Sequence, residues 1–335
     1  MKERKGVNND LSKMLQDLME SYRQMRQIAD QITSITSKTT LLSLNSSIEA
    51  ARAGQAGYGF AVIAKEMHEM ASMSKDANAN SKSYMEDMKN RISDVAGVRT
   101  ADIAFDLIDK IDRNLFERNC DVQAWATFEV IIDYLLEPTS LKQNLVNDLL
   151  HNICVLYEVY HDIILADIHG NIVSIAENKA LLGNTVMTSD WFQGVIESKQ
   201  NTVSDMYRSD TNGDTVAYSA PVRGKDGKII GVLSTRFNWE YIYDIIDKAK
   251  ISESGEIFLI NTKGVVIASK NREEVFTKSF ATKDFYHAMK RGEYYGYHLH
   301  ENDKGMLEGI TAYARTHGYN AYAGKDWSVI VEEKF

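Results

Sequence analysis

Proline is nearly missing from this chain. Among 335 residues only Pro138 and Pro221 occur, and residues 1–137 contain none. Glycine in that stretch is confined to Gly6, Gly54, Gly57, Gly59 and Gly97. A segment so free of helix breakers can be helical nearly throughout. Cysteine is scarce too: Cys120 and Cys154 are too few and too far apart for a disulfide framework, a CxxC pair or a zinc cluster. No apolar run approaches the ~20 residues needed to cross a bilayer. The basic start MKERKGVNND leads into polar residues rather than a signal-peptide core, so a cytoplasmic location is expected. A net charge of -9 excludes a general nucleic-acid binder, whose phosphate contacts need clustered Lys and Arg. Nucleophile elbow, paired carboxylates, metal cluster and cofactor loop are also missing, so neither an enzyme nor a cofactor is expected.

What is present begins with periodicity. Leu11, Met14, Leu18, Met25, Ile28, Ile32, Ile35 and Leu42 recur in steps of three and four, with Ser21 and Thr39 filling the weak positions. That is a heptad seam, which buries itself against other helices. The rhythm returns with Phe60, Ile63, Met67, Met70, Ser74, Ala77, Ser81, Tyr84 and Met88. Between the two runs stand Gly54, Gly57 and Gly59. A Walker loop would end in Gly-Lys-Ser/Thr and a dinucleotide fingerprint would follow a strand. Neither condition is met, so the glycines are read as a tight bend between two antiparallel arms. Two such arms still expose a stripe, and pairing with a second copy into a four-helix bundle is the expected remedy.

The stretch LLSLNSSIEAARAGQAGYGFAVIAKEMHEMA, Leu41 to Ala71, resembles the signalling tip of methyl-accepting chemotaxis proteins. The matching residues are Leu44-Asn45, Ile48 to Gly54, Gly57, Gly59 to Val62 and Ala64. The resemblance implies a dimeric antiparallel hairpin whose tip binds a histidine kinase and a coupling adaptor, with assembly into larger receptor groups. It assigns kinase, adaptor and inter-dimer contacts to Leu41, Leu42, Asn45, Glu49, Arg52, Phe60 and Val62. Spacings of four and three put Asn45, Glu49 and Arg52 on one helical face. Gln55 and Tyr58 stand where the family commonly has glutamate and arginine, Ser46 and Ser47 where it has alanines, and Ser37 where many members have phenylalanine. The arms carry no paired Glu/Gln methylation sites of the family's kind.

Helical pattern continues from Ile92 to Leu136 until Glu137-Pro138 stops it. A Thr139 or Ser140 cap then opens a further helix. From residue 161 the period becomes strand-like and a repeat emerges: IILADIHGNIVSIA (163–176) matches IFLINTKGVVIASK (257–270). At the same offset of 94 Asp190-Trp191-Phe192 matches Asp284-Phe285-Tyr286, and, at a shifted offset, IIGVLSTRF (229–237) matches WSVIVEEKF (327–335). Two small PAS-like units after a long helix resemble the double Cache sensor of bacterial receptors. The expected class is therefore α+β: a coiled-coil hairpin over 1–97 with its tip at 53–59, long sensor helices over 98–158, and PAS-like modules over 159–250 and 251–335. Sensor and hairpin stand in the reverse of the usual receptor order.

In such sensors the first unit usually holds the ligand, and the candidates are Trp191, Phe192, Tyr207, Arg208, Asp210, Tyr218 and Arg236. Amino-acid-binding members typically have aspartate at the position of Arg236 and arginine at that of Ser189, so their pattern is absent. An arginine facing inward prefers a carboxylate, pointing to a small anionic or carbonyl-bearing metabolite. His298 and His300 share a strand face but have no third ligand at useful spacing, so no metal is expected. The leading reading is a chemoreceptor-like transducer with a small-molecule ligand. The alternative is a dimeric binding or scaffold protein that keeps the hairpin without ligand-controlled kinase output.

Overall fold

The computed structural model describes residues 7–303, 305–320 and 322–335. Helix α1 spans Val7–Arg52 and α2 spans Tyr58–Trp125, joined by a single 3₁₀ turn at Gly54–Gly57. The bend depends on two of the three glycines. Gly54 adopts φ +60°, and a Cβ on Gly57 would sit 2.2 Å from the Ala50 carbonyl oxygen, where the arms cross. Gly59 already belongs to α2 and has open space around it.

The arms meet along a different line from the one the apolar spacing predicts. Tyr22, Ala29, Thr36, Ser43 and Ala50 of α1 are buried at intervals of seven, as are Ala64, Ala71, Asn78, Met85 and Ile92 of α2. Most of these side chains are small, so the backbones can approach closely. Asn78 Nδ2 reaches Ala29 O at 2.8 Å, and Thr36 Oγ1 lies 3.3 Å from Ser74 Oγ. Met14, Leu18, Met25, Ile28, Ile32, Ile35 and Leu42 point outward instead, as do Phe60, Ile63, Met70 and Tyr84. The heptad stripe read as the seam is therefore the outer face of one flank of the hairpin.

Helix α2 continues past the hairpin as the spine of the remaining structure. The helix expected to reach Leu136 ends at Trp125, because Thr127 turns its hydroxyl onto Ala124 O (2.7 Å) and Phe128 is extended. Helix α3 (Glu129–Leu136) and α4 (Ser140–Tyr157) follow, the latter capped by Thr139, whose hydroxyl accepts from Lys142 N. The first unit then comprises β1 (Tyr160–Asp167), β2 (Ile172–Ile175), α5 (Asp190–Ser198), β3 (Thr202–Val203), β4 (Tyr207–Ser209), β5 (Gly213–Arg223) and β6 (Ile229–Asn238). After α6 (Glu240–Asp247) come β7 (Glu256–Ile260), β8 (Val266–Ser269), α7 (Asp284–Lys290), β9 (Tyr295–Glu301), β10 (Leu307–Arg315) and β11 (Ser328–Lys334). The antiparallel sheets have orders β2-β1-β6-β5-β3, with β4 also on β5, and β8-β7-β11-β10-β9. This shared plan is the structural form of the sequence repeat.

Each sheet lays one face on α2, through Leu107, Ile108, Ile111, Leu115 and Val122, and covers the other with its own short helix. The second sheet also clasps the hairpin. Leu15 and Met19 of α1 pack with Ile92 and Ala96 against Leu307 and Ile310, and Lys89 Nζ donates to Gly305 O at 2.8 Å. Gly97 makes this approach possible, since a Cβ there would lie 2.3 Å from the Tyr297 ring. Gly97→Val is expected to lower stability by about 1–3 kcal/mol through overpacking. Urea unfolding checks this, and Tyr297→Ala in the same chain should remove most of the penalty.

Candidate functional site

A cavity of about 390 Å³ opens in the first unit between α5 and the sheet. Ser189, Asp190 and Trp191 form one wall, and Ser204, Asp205, Met206 and Tyr207 form the other, with Ala217 of β5 on the sheet side. Helix α5 is held by Phe192 and Val195, which bury against Ala166 and Val232 and leave Trp191 half-buried beside the opening. Alternation along β6 places Ser234 and Arg236 on this face and Leu233, Thr235 and Phe237 on the face toward α2.

Arg236 is the unusual group. It is only 6% exposed, and its guanidinium lies 4.8 Å over the Trp191 ring. One terminal nitrogen donates to Ser234 Oγ (2.7 Å) and to Thr235 O (2.9 Å). Among the described residues no carboxylate is bonded to it. The obvious partner is its cross-strand neighbour Asp162, but Asp162 accepts instead from the amides of Ile163, Glu177 and Asn178. Burial draws the guanidinium below its usual pKa, although the nearby Tyr207 and Asp162 act the other way.

The other candidates separate. Tyr207 joins Trp191 at the cavity, and Phe192 lies beneath it in the packed layer. Tyr218 is on the opposite face of β5, edge-on to Phe237 at 6.3 Å, where burial pushes its hydroxyl pKa well up. Arg208 points away and pairs with Asp214 at 2.8 Å, and Asp210 sits exposed in the β4–β5 turn. The sequence reading did not single out Asp205 and Met206, because their irregular segment has no periodic signal. In the second unit the corresponding space is filled by Phe258, Phe280, Phe285, Tyr286, Met289 and Tyr313. His300 Nε2 lies 2.8 Å from Thr311 Oγ1 and His298 stacks near Tyr313, and no group of three metal-ligating side chains occurs among the described residues.

At the far end of the molecule Leu41, Leu42, Asn45, Glu49, Arg52, Phe60 and Val62 are all exposed around the bend. Glu49 and Arg52 form a loose ion pair at 3.6 Å, both well solvated.

A family model described as Cache domain matches residues 60–334, which takes in α2 and both sheets. The chain belongs to the Cache domain family. Residues 1–109 match the methyl-accepting chemotaxis protein signalling domain, and the two matches overlap within α2. Among solved structures, the Cache portion is similar to the extracellular domain of rpHK1S-Z16, a protein described as a histidine kinase. That match has 15% identity and a TM-score of 0.57 over 74% of this chain and 97% of that one. The ligand-binding domain of the Campylobacter jejuni chemoreceptor Tlp3, solved with 4-methylisoleucine, shares 18% identity with a TM-score of 0.51, over 70% and 91% of the two chains. An extracellular ligand binding receptor from Desulfohalobium retbaense shares 16% identity with a TM-score of 0.50, covering 68% of this chain but 39% of that one. At such identities the likeness is one of fold. No curated protein matches the chain. No helix of the described residues is long and apolar enough to cross a membrane. The Cache sheets and the signalling hairpin are thus joined by one unbroken helix, with the cavity near one end and the exposed tip at the other.

Proposed function

We propose that this chain is a homodimeric sensory transducer of double Cache type, in which the first module takes a small carboxylate and the hairpin tip engages a chemotaxis histidine kinase and its adaptor. The proposed division is hairpin 1–97, sensor helices 98–158, first module 159–250 and second module 251–335. The observation that carries the ligand reading is Arg236: a buried cation beside an open cavity, with its natural partner Asp162 committed to backbone amides. Uncompensated buried charge is costly, and an incoming carboxylate would relieve it with charge-assisted bonds worth ~1.5–3 kcal/mol each. Trp191 and Tyr207 would wall the ligand's apolar part.

The tip reading rests on the exposed, matching residues Asn45, Glu49 and Arg52, which suit contacts between neighbouring dimers. Because α2 carries charged side chains along its length without interruption, tip and sensor occupy one compartment. For a kinase-binding tip that compartment is the cytoplasm.

The test is thermal unfolding against a panel of mono- and dicarboxylates. At 100 times its Kd a ligand adds about 2.7 kcal/mol, enough to raise the midpoint clearly. At least one acid is expected to do so, and Arg236→Ala should lose the response. Stabilisation by no acid, or an undiminished shift in the variant, would refute the reading.

A further inference from the structure

One strand runs from the cavity wall to the hairpin side of α2. Directly before β11, the buried Trp327 donates its indole N–H to Asp205 Oδ1 at 2.8 Å, and Lys325 Nζ donates to Val203 O at 2.8 Å. Asp205 is part of the cavity wall, and Val203 ends β3 two residues earlier. Near the other end of β11, Glu333 is 2% exposed and binds three groups. Its Oε2 accepts from Arg99 and from Thr100 Oγ1, each at 2.9 Å, and its Oε1 accepts from Ser252 N at 2.9 Å. Arg99 and Thr100 lie on α2 just beyond the region clasped to α1.

The strand between these anchors is stiff. β11 is hydrogen-bonded to β7 on one side and β10 on the other. Period-two alternation sets Trp327, Val329, Val331 and Glu333 on one face, and the first three belong to the core shared with α2. Six residues at ~3.3 Å each separate the anchors by about 20 Å. The repeat sharpens the point. The first unit's equivalent strand, β6, pairs with β1 as β11 pairs with β7, and that register puts Gly231 in place of Trp327 and Phe237 in place of Glu333. Both anchoring groups are particular to β11.

We propose that β11 is a rigid link that carries the position of the cavity wall to α2, so that movement of Ser204–Tyr207 is felt at Arg99 and Thr100. The proposal rests on the reading of the cavity as the sensing site. Coupling between two places must be reciprocal, and that is what can be measured.

Hydrogen exchange on the full chain without any ligand tests it, so failure of the carboxylate response would leave this result standing. Asp205→Ala removes an exposed acceptor at one end, and Thr100→Val removes a hydroxyl at the other with little change of shape. Asp205→Ala should speed exchange of α2 amides around residues 98–104 by at least about threefold, and Thr100→Val should do the same for residues 203–207. The double variant should show less than the product of the two effects, whereas uncoupled distant sites add. Faster exchange confined to the substituted end overturns the link, as does an even rise that includes α4. Strict additivity in the double variant also overturns it.

Discussion

Asp112→Ala is expected to cost the fold roughly 3–5 kcal/mol, the largest single loss anticipated outside the packed core, at ~1–3 kcal/mol for each buried donor left unpaired. Asp112 lies on α2 and is only 1% exposed. It accepts from Thr316 Oγ1 at 2.6 Å, from Gly318 N at 3.0 Å and from His317 N at 3.2 Å. One carboxylate therefore fixes the start of the long β10–β11 loop to the spine. Alanine would strand all three donors, two of them on the backbone. Burial raises the Asp112 pKa, outweighing the Thr316 bond, the Gly318 amide and the charge of His317. The sign follows from linkage: the folded chain holds this proton more tightly than the unfolded chain does. The associated stability is fully present below the ordinary carboxylate pKa and is lost as pH rises through the raised value. Urea midpoints measured upward from about pH 4 should fall more steeply for the wild type than for Asp112→Asn, which cannot ionise. Parallel slopes would contradict this assignment.

The apolar stripe is not the line along which the two arms of one hairpin meet, for a physical reason. Hydrophobicity selects the larger side chains, Ile28, Ile32, Ile35 and Leu42, yet the contact inside the hairpin uses Ala29, Thr36 and Ser43, one residue further along. Small residues allow close approach but carry little apolar signal. The bend itself was legible, because glycine between two heptad runs has few other uses. In the sensor the 94-residue offset revealed both sheets before any packing was known. It did not reveal which face of β5 meets the cavity. Val216, Tyr218, Ala220 and Val222 are buried against α2, while Ala217 and Ser219 are buried on the other side. A sheet covered on both faces has no polar alternation to read, so Tyr218 could not be told from a cavity residue. Arg236 could be singled out because a charge within an apolar strand is conspicuous in any register. Asp112 meets Thr316 across 204 residues and Asp205 meets Trp327 across 122, pairings that no local pattern encodes.

The outward stripe leads to the second large effect, on self-association. In the single chain Ile35 is exposed, as are Met70 and Ile63, and Phe60 is 70% and Tyr84 77% exposed. On both arms these residues are offset in the same sense from the inner seam, so in an antiparallel pair they share one flank. The opposite flank is more polar, with Thr33, Ser37, Thr40, Lys75 and Lys82 along it beside the exposed Leu41. Burying the apolar flank against the same flank of a second copy would remove both stripes from water, at ~1.5–3 kcal/mol per large side chain. Inner-seam pairs such as Thr36 with Ser74 set Ile35 and Met70 about 7–8 Å apart along the hairpin, on neighbouring layers of the flank. Ile35→Glu with Met70→Glu would therefore place four carboxylates in two neighbouring layers of a dimer, two in each. Sedimentation should then report monomer at concentrations where the wild type is dimeric, a weakening of at least about a thousandfold, or ~4 kcal/mol. Helix content should be unchanged by circular dichroism, because neither side chain belongs to the inner seam. Ser37→Glu with Ala79→Glu, on the opposite flank, should leave the dimer intact. If the first pair still sediments as a dimer, the two copies meet elsewhere and the apolar flank serves another helix.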